Sequence, residues 1–355
     1  MKLVIFGLSV SSSWGNGHAT LWRGLCAALS RRHHDVVFFE RDVPYYASTR
    51  DMETLPGGQL ILYSDWAETL PLIERHLHEA DVAMTTSYCP DAIAASQLIF
   101  ESNVHVRCFY DLDTPITLDR LRRGLKVDYI GERGLRDFDL TLSYSGGASL
   151  KELQNRLGAG TVFPLYGSVD PSVHFPVLPS NEYRSDISYL GTWSVDRQQR
   201  LEELFVEPAK RMPQARFVIG GSMYDDRFPW QPNIHLKNHI PSSDHPTFYC
   251  SAKLNLNVTR QAMADNGYCP SGRLFEAAAC GCVTLSDAWE GLETFFEPEK
   301  EILIARDTND TLEALKRDPE ELHRLGRAAR EKAMSCHTAD IRARELESYL
   351  TQKAA

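Results

Sequence analysis

The chain has 355 residues, 43% hydrophobic and 24% charged, which is the composition of a globular protein too long for one ordinary core, so two domains are expected. Its 38 basic and 48 acidic side chains leave a net charge of −10, which argues against broad binding to a phosphate backbone and hence against a nucleic-acid partner. No window reaches the roughly 18 to 20 apolar residues needed to span a bilayer, and Met1-Lys2-Leu3 runs into a strand rather than a signal peptide, so a cytoplasmic location without an integral membrane segment is expected.

From the N-terminus, short apolar runs alternate with amphipathic segments, the signature of strand–helix units and a parallel sheet. Strands are expected at Leu3–Phe6, Val36–Phe39, Leu60–Tyr63, Val82–Thr86, Val104–Tyr110, Leu140–Tyr144 and Val162–Leu165. A helix from His18 to Arg31 places Leu21, Leu25, Ala28 and Leu29 at core spacing, and a second covers Leu70–His78. A proline-rich, irregular stretch around Pro171–Asn181 reads as a linker, after which the alternation restarts. Strands follow at Ile187–Gly191, Phe217–Gly220, Ile234–Ile240, Leu254–Val258 and Glu301–Ala305, with a helix at Asp196–Met212 and a short one at Phe248–Ala252. Asp318-Pro319-Glu320-Glu321 combines a cap, a proline and first-turn acids as a helix start, and a last helix begins near Thr338. The domain boundaries expected are 1–170, a linker at 171–182, 183–336 and a C-terminal helix within 337–355. The eight cysteines show neither a zinc spacing nor a disulfide framework, with Cys280-Gly281-Cys282 the one close pair, and they read as mostly buried reduced thiols.

The residues able to carry chemistry sit where strands end. The loop Gly7–His18 contains Gly15 and Gly17, which allow backbone amides to approach a phosphate or sugar; a plain flexible connection is the competing reading. His18, at the helix start, reads first as a capping or hydrogen-bonded histidine, with a general base as the functional alternative. Asp111 and Asp113 follow a strand and share one side of the chain, which suits a metal ion or an acceptor hydroxyl, whereas Asp before Thr114-Pro115 also reads as the cap of the next helix. Tyr144-Ser145-Gly146-Gly147 repeats the strand–glycine–helix pattern. In the second half Arg197 follows the strand ending at Gly191, and Arg260 ends another before a polar loop, Gln261–Tyr268. Pro270–Ser286 then reads as loop, short helix, tight turn and strand, with Ser271 at its start and with Arg273 and Glu276 three apart on one helical face. Arginines and free helix amides suit a diphosphate, and the glutamate suits two ribose hydroxyls.

Four segments resemble the GT-B glycosyltransferases, and within them the CgeB-like (spore-coat-maturation-protein-like) family with a C-terminal domain of the glycosyl transferases group 1 type. They are Trp14–His18 with Phe39-Glu40-Arg41-Asp42; Phe109–Pro115; Tyr144–Gly147 with Val169-Asp170-Pro171; and Gly267–Gly281. The resemblance implies an α/β protein of two Rossmann-like domains with an interdomain cleft and a C-terminal helix packing back on the first domain. It implies a UDP- or GDP-linked sugar as co-substrate, a hydroxyl acceptor, no other cofactor and no metal. Glu276 then matches the ribose-binding glutamate, and Arg260 and Arg273 fall at the diphosphate. Many retaining relatives carry two glutamates separated by seven residues, whereas eight positions before Glu276 this chain has Tyr268, with Asp265 and Asn266 nearby. The activity implied is sugar transfer, with retention favoured; an epimerase of the same fold and a non-catalytic nucleotide- or saccharide-binding protein are the alternatives.

Overall fold

Runs of β-branched and aromatic residues buried on both faces form parallel strands, and in this chain they do so twice. The computed structural model describes residues 1–354 and resolves two compact units, one of Met1–Tyr166 with the segment from Ala339 onward, the other Gly167–Thr338. Each is built on its own all-parallel sheet with helical crossovers.

The first unit orders its strands β1 (Lys2–Gly7), β2 (Asp35–Arg41), β3 (Gln59–Tyr63), β4 (Val82–Thr86), β5 (Val106–Asp111), β6 (Leu140–Ser143) and β7 (Val162–Pro164) as β3-β2-β1-β4-β5-β6-β7. The order reverses between β1 and β4, so the loops leaving neighbouring carboxyl ends flank a crevice of the kind in which open α/β sheets take ligands. The helices are α1 (Gly17–Arg31), α2 (Pro44–Ala47), α3 (Trp66–His78), α4 (Ala92–Glu101), α5 (Thr114–Arg122) and α6 (Ala148–Leu157). Trp22 of α1 is buried edge-on against Phe38 and Tyr110, with ring centroids 5.6 and 5.8 Å away. That helix ends with His33 in the left-handed region (φ 63°), its N–H and that of His34 closing on Ser30 and Leu29. The C-terminal helix, Ala339–Ala354, packs on α1 through the buried Ala343, Leu346 and Leu350. Arg31 pairs with Asp340 at 3.0 Å, Arg32 with Glu347, and Phe163 stacks on Tyr349 at 4.4 Å.

The second unit comprises β8 (Ser185–Leu190), β9 (Phe217–Gly220), β10 (Ile234–Lys237), β11 (Ala252–Asn257), β12 (Thr284–Asp287) and β13 (Leu303–Ala305), ordered β10-β9-β8-β11-β12-β13, which switches direction between β8 and β11. Its helices are α7 (Val195–Leu201), α8 (Glu207–Arg211), α9 (His245–Cys250), α10 (Gln261–Asn266), α11 (Gly272–Ala279), α12 (Thr308–Lys316) and α13 (Pro319–Cys336). α11 is closed by Gly281 at φ 72°, whose N–H bonds Ala278 while that of Cys282 bonds Ala277, so the two amides cover carbonyls the helix leaves open. The α13 backbone comes close at this turn, and a Cβ on Gly326 would lie 2.3 Å from the Gly281 carbonyl oxygen.

Several elements differ from the sequence expectation. The helix expected over Asp196–Met212 is interrupted by a π-type turn at Glu202–Val206, next to Pro208, which has no N–H to continue an α-helical ladder. The polar loop expected at Gln261–Tyr268 contains α10, and α3 starts four residues early because Asp65 caps it, accepting from Glu68 N at 3.0 Å, and Pro71 is accommodated inside. β10 stops at Lys237. The proline-rich stretch forms no helix or strand, yet it is fastened to the second unit, the Ser180 N–H donating to Ser251 Oγ at 2.8 Å. Among the described residues no helix is long and apolar enough to cross a membrane.

The close approach at Gly326 sets a stability test. Gly326→Ala is expected to lower stability in urea unfolding by about 1–3 kcal/mol, the usual range for overpacking. Gly17→Ala, where a Cβ meets nothing within 4 Å, is expected to change it by less than about 0.5 kcal/mol. Equal effects would show that the packing against Gly281 is not tight.

Candidate active site

In the first unit a buried carboxylate organises the loop after β1. Glu40, at the end of β2, is fully buried and accepts from Ser9 Oγ (2.9 Å), Ser11 Oγ (2.6 Å), Val10 N (2.7 Å) and Ser11 N (2.9 Å). Asn16 donates to the Ser9 and Ser12 carbonyls at 3.0 and 3.2 Å and, as N-cap of α1, accepts from His18 N at 3.0 Å. The loop is therefore pinned along its length rather than being a flexible connection. Gly15 takes a left-handed turn (φ 60°) there, and Gly17 opens α1 with free space where a side chain would be.

This pinning delivers His18 to the carboxyl end of β5. His18 Nε2 lies 3.0 Å from Asp113 Oδ2, which also accepts from Ser87 Oγ at 2.8 Å. Asp111 is fully buried; its Oδ1 accepts from Asp113 N at 3.0 Å, and its Oδ2 has no hydrogen-bond partner among the described residues. His18 Nδ1 is likewise buried without one. Burial and the neighbouring Asp113 push the Asp111 carboxyl up to about 7. Burial by itself would depress the His18 imidazole, but the charge and hydrogen bond of Asp113, with Asp111 behind it, leave its pKa raised. Asp113 stands at the N-cap of α5 yet makes no side-chain cap bond, so its carboxylate serves His18 and Ser87 instead. His18, Asp111 and Asp113 thus form one cluster carrying both a proton acceptor and a proton donor near neutral pH.

In the second unit the start of α11 is the centre. Ser271 is its N-cap residue and makes no side-chain cap bond. The Arg273 guanidinium lies 5.2 Å from the Tyr189 ring centroid, donates through Nη1 to Asn257 Oδ1 at 2.8 Å, and keeps a buried Nε without a partner. Gly191 leaves room for it, because a Cβ there would lie 3.0 Å from Arg273 Nη2 and 2.7 Å from the Tyr189 hydroxyl. Glu276, one turn on, is buried and accepts from the Tyr249 hydroxyl at 2.7 Å. Burial pushes its carboxyl up, but His174, His245, the Tyr249 hydrogen bond and Arg273 together outweigh this and leave the pKa below the ordinary glutamate value. An ionised carboxylate and a guanidinium therefore share one helical face.

Arg197 and Arg260 sit at neighbouring strand ends. Asp287 holds the chain before Arg260 by accepting the Thr259 N–H at 3.1 Å and its hydroxyl at 2.8 Å. Arg260 Nε donates to Asp196 Oδ2 at 2.8 Å, so one of the expected diphosphate arginines is partly neutralised by an acid the sequence reading did not weigh. Arg197 donates to the Thr192 carbonyl at 3.2 Å with its Nε buried and unpartnered. Burial pushes the Tyr224 hydroxyl up, with the Arg197 and Arg273 charges opposing it, and that hydroxyl donates to the Gly191 carbonyl at 2.9 Å. Sequence reasoning missed Tyr189, Asn257, Tyr249, His174 and His245, which lie far from α11 in the chain and carry no local pattern.

Residues 197–348 match the family described as Glycosyl transferase-like. Among solved structures, sucrose-phosphate synthase from Thermosynechococcus elongatus is similar at a TM-score of 0.73 and 16% identity, covering 99% of this chain and 98% of that one. Anabaena HepE in complex with UDP-glucose gives 0.69 and 12%, with 99% and 100% covered. An alpha-glucosyltransferase in complex with UDP-glucose and DNA containing an abasic site gives 0.67 and 15%, with 99% of each covered. No curated protein matches the sequence. The fold is that of the GT-B glycosyltransferases, and with the family match the enzyme class is glycosyltransferase.

The titration of Asp111 is testable through stability. A raised folded-state pKa means that the contribution is complete below the ordinary value of 3.8 and is lost as pH rises to about 7. The stability of the wild type relative to Asp111→Asn is expected to fall across that window by up to about 4 kcal/mol and to stay level above it. A difference that does not change with pH would contradict the burial argument.

Proposed function

We propose that the protein transfers a sugar from a UDP-linked donor to a hydroxyl acceptor, with retention and without a metal in the transfer, and that it belongs to the CgeB-like group. The observation that carries the reading is the pairing of Arg273 and Glu276 on the first turns of α11, at the carboxyl edge of the second sheet, with the guanidinium Nε unpartnered and the carboxylate ionised. Similar structures are complexes with UDP-glucose or UDP, which favours uridine over guanosine.

The chemistry follows from those groups. Glu276 accepts the two ribose hydroxyls, which asks for a charged, acceptor-only side chain. Arg273, the free amides at the start of α11 and the Ser271 hydroxyl bind the diphosphate, with Arg197 and Arg260 adding positive charge. As the glycosidic bond breaks, charge develops on the departing phosphate, and these donors stabilise it where a metal serves in other folds. In the first unit His18, held by Asp113, and the buried Asp111 form a polar cluster suited to a hydroxyl-bearing acceptor. With retention, the leaving phosphate takes the acceptor proton, so no side-chain base is needed to remove it. The net charge of −10 favours an acceptor other than duplex DNA.

Calorimetric titration with UDP and kinetics with the matching UDP-sugar test this. Glu276→Ala is expected to weaken UDP binding by roughly 10- to 100-fold, the worth of hydrogen bonds to a charged group. Arg273→Ala is expected to lower kcat by roughly 100- to 1,000-fold. Unchanged UDP affinity in the Glu276 variant would remove α11 from the donor site, and conversion of the donor without acceptor would mark an epimerase instead.

A further inference from the structure

Behind Glu276 the second unit brings together two histidines from distant parts of the chain. His174 follows the turn at Asp170, its N–H bonded to the Asp170 carbonyl at 2.9 Å; His245 opens α9; Glu276 lies on α11. One donor atom from each of the three lies within 4.8 Å of the other two, and the two imidazole centroids are 6.0 Å apart.

The hydrogen bonding around this cluster is incomplete in a directed way. His174 is 4% exposed, and neither of its ring nitrogens has a hydrogen-bond partner. A buried imidazole pays a desolvation cost for each such nitrogen, so a ligand is called for. His245 Nδ1 is also without a hydrogen bond and stands 3.9 Å from Glu276 Oε2, while the Ile240 carbonyl accepts from the other side of the ring. That arrangement, one nitrogen tethered to a backbone carbonyl and the other left open toward a carboxylate, is how metal-ligating histidines are oriented. Tyr249 does the same for the carboxylate, donating to Oε2 at 2.7 Å.

We propose that His174, His245 and Glu276 form a binding site for a divalent ion of the zinc type, and that the bound ion withdraws Glu276 from the donor and so inhibits it. The inhibitory half rests on the donor reading above; the metal site does not. Two imidazoles and one carboxylate, with water completing a tetrahedron, suit Zn2+ and disfavour Mg2+ and Ca2+, which take oxygen ligands. Ligand bonds of about 2.0 to 2.2 Å need the three atoms to draw in by about an ångström, within the reach of side-chain rotation.

The test is titration of the EDTA-stripped full chain with Zn2+ by calorimetry and thermal unfolding. One zinc per chain is expected, with a raised Tm. His174→Ala and His245→Gln are each expected to weaken binding about 100-fold or more and to abolish the Tm rise, with the glutamine variant able to keep the bond to the Ile240 carbonyl should the alanine variant fold poorly. Cys250→Ser is expected to leave binding unchanged; loss there, with retention in the histidine variants, would assign the ion to the Cys250 and Cys282 thiols, 3.7 Å apart, and overturn the proposal. Absence of zinc binding at micromolar metal would also overturn it. Saturating zinc is expected to weaken UDP binding about tenfold or more in the wild type but not in His245→Gln. Unchanged UDP affinity would remove the inhibitory half, whereas a chain that binds zinc through the histidines and never binds UDP would remove the donor reading and leave the metal site standing.

Discussion

The arrangement of the second unit depends on keeping one carboxylate charged inside protein. Burying Glu276 is costly, and burial alone would drive it to the neutral acid. His174 from the turn after Asp170, His245 and Tyr249 from α9, and Arg273 from α11 itself reverse that balance. The cost is accepted where an acceptor-only group at the sheet edge is useful, because a neutral glutamine there loses the charge that strengthens a bond to a hydroxyl.

The first unit uses the same physics with different outcomes. Glu40 is as deeply buried, but four hydrogen bonds from the loop after β1 satisfy it, so it acts as a structural anchor. Asp111 has fewer donors and a neighbouring acid, and its carboxyl rises to about 7 instead. Two carboxylates with different surroundings therefore supply rigidity in one case and a titratable group in the other. His18 connects them, since the loop that Glu40 fixes ends at the cap that sets the start of α1.

Much of the fold was legible because it is written locally. Val82–Thr86 forms a strand with the bounds expected. The gathering of Arg273, Ser271 and Glu276 on α11 was legible for the same reason, since their spacing is helical. What was not legible needed distant partners. The Asp196–Arg260 pair spans 64 positions, and the Tyr249 hydroxyl finds Glu276 across 27, so no period announces either. The His174–His245–Glu276 cluster escaped a search for metal spacings because its members come from a turn and two separate helices. The π-type turn beside Pro208 was hidden because apolar periodicity continues through it.

The central claim is that α11 receives a nucleoside diphosphate through Glu276 and Arg273. The most direct measurement is a crystal structure of the chain grown with UDP. The account predicts the ribose hydroxyls on the Glu276 carboxylate and the diphosphate on Arg273 and the amides at the start of α11. Uridine bound elsewhere, with Glu276 still held by Tyr249 and touching no ligand, would contradict it.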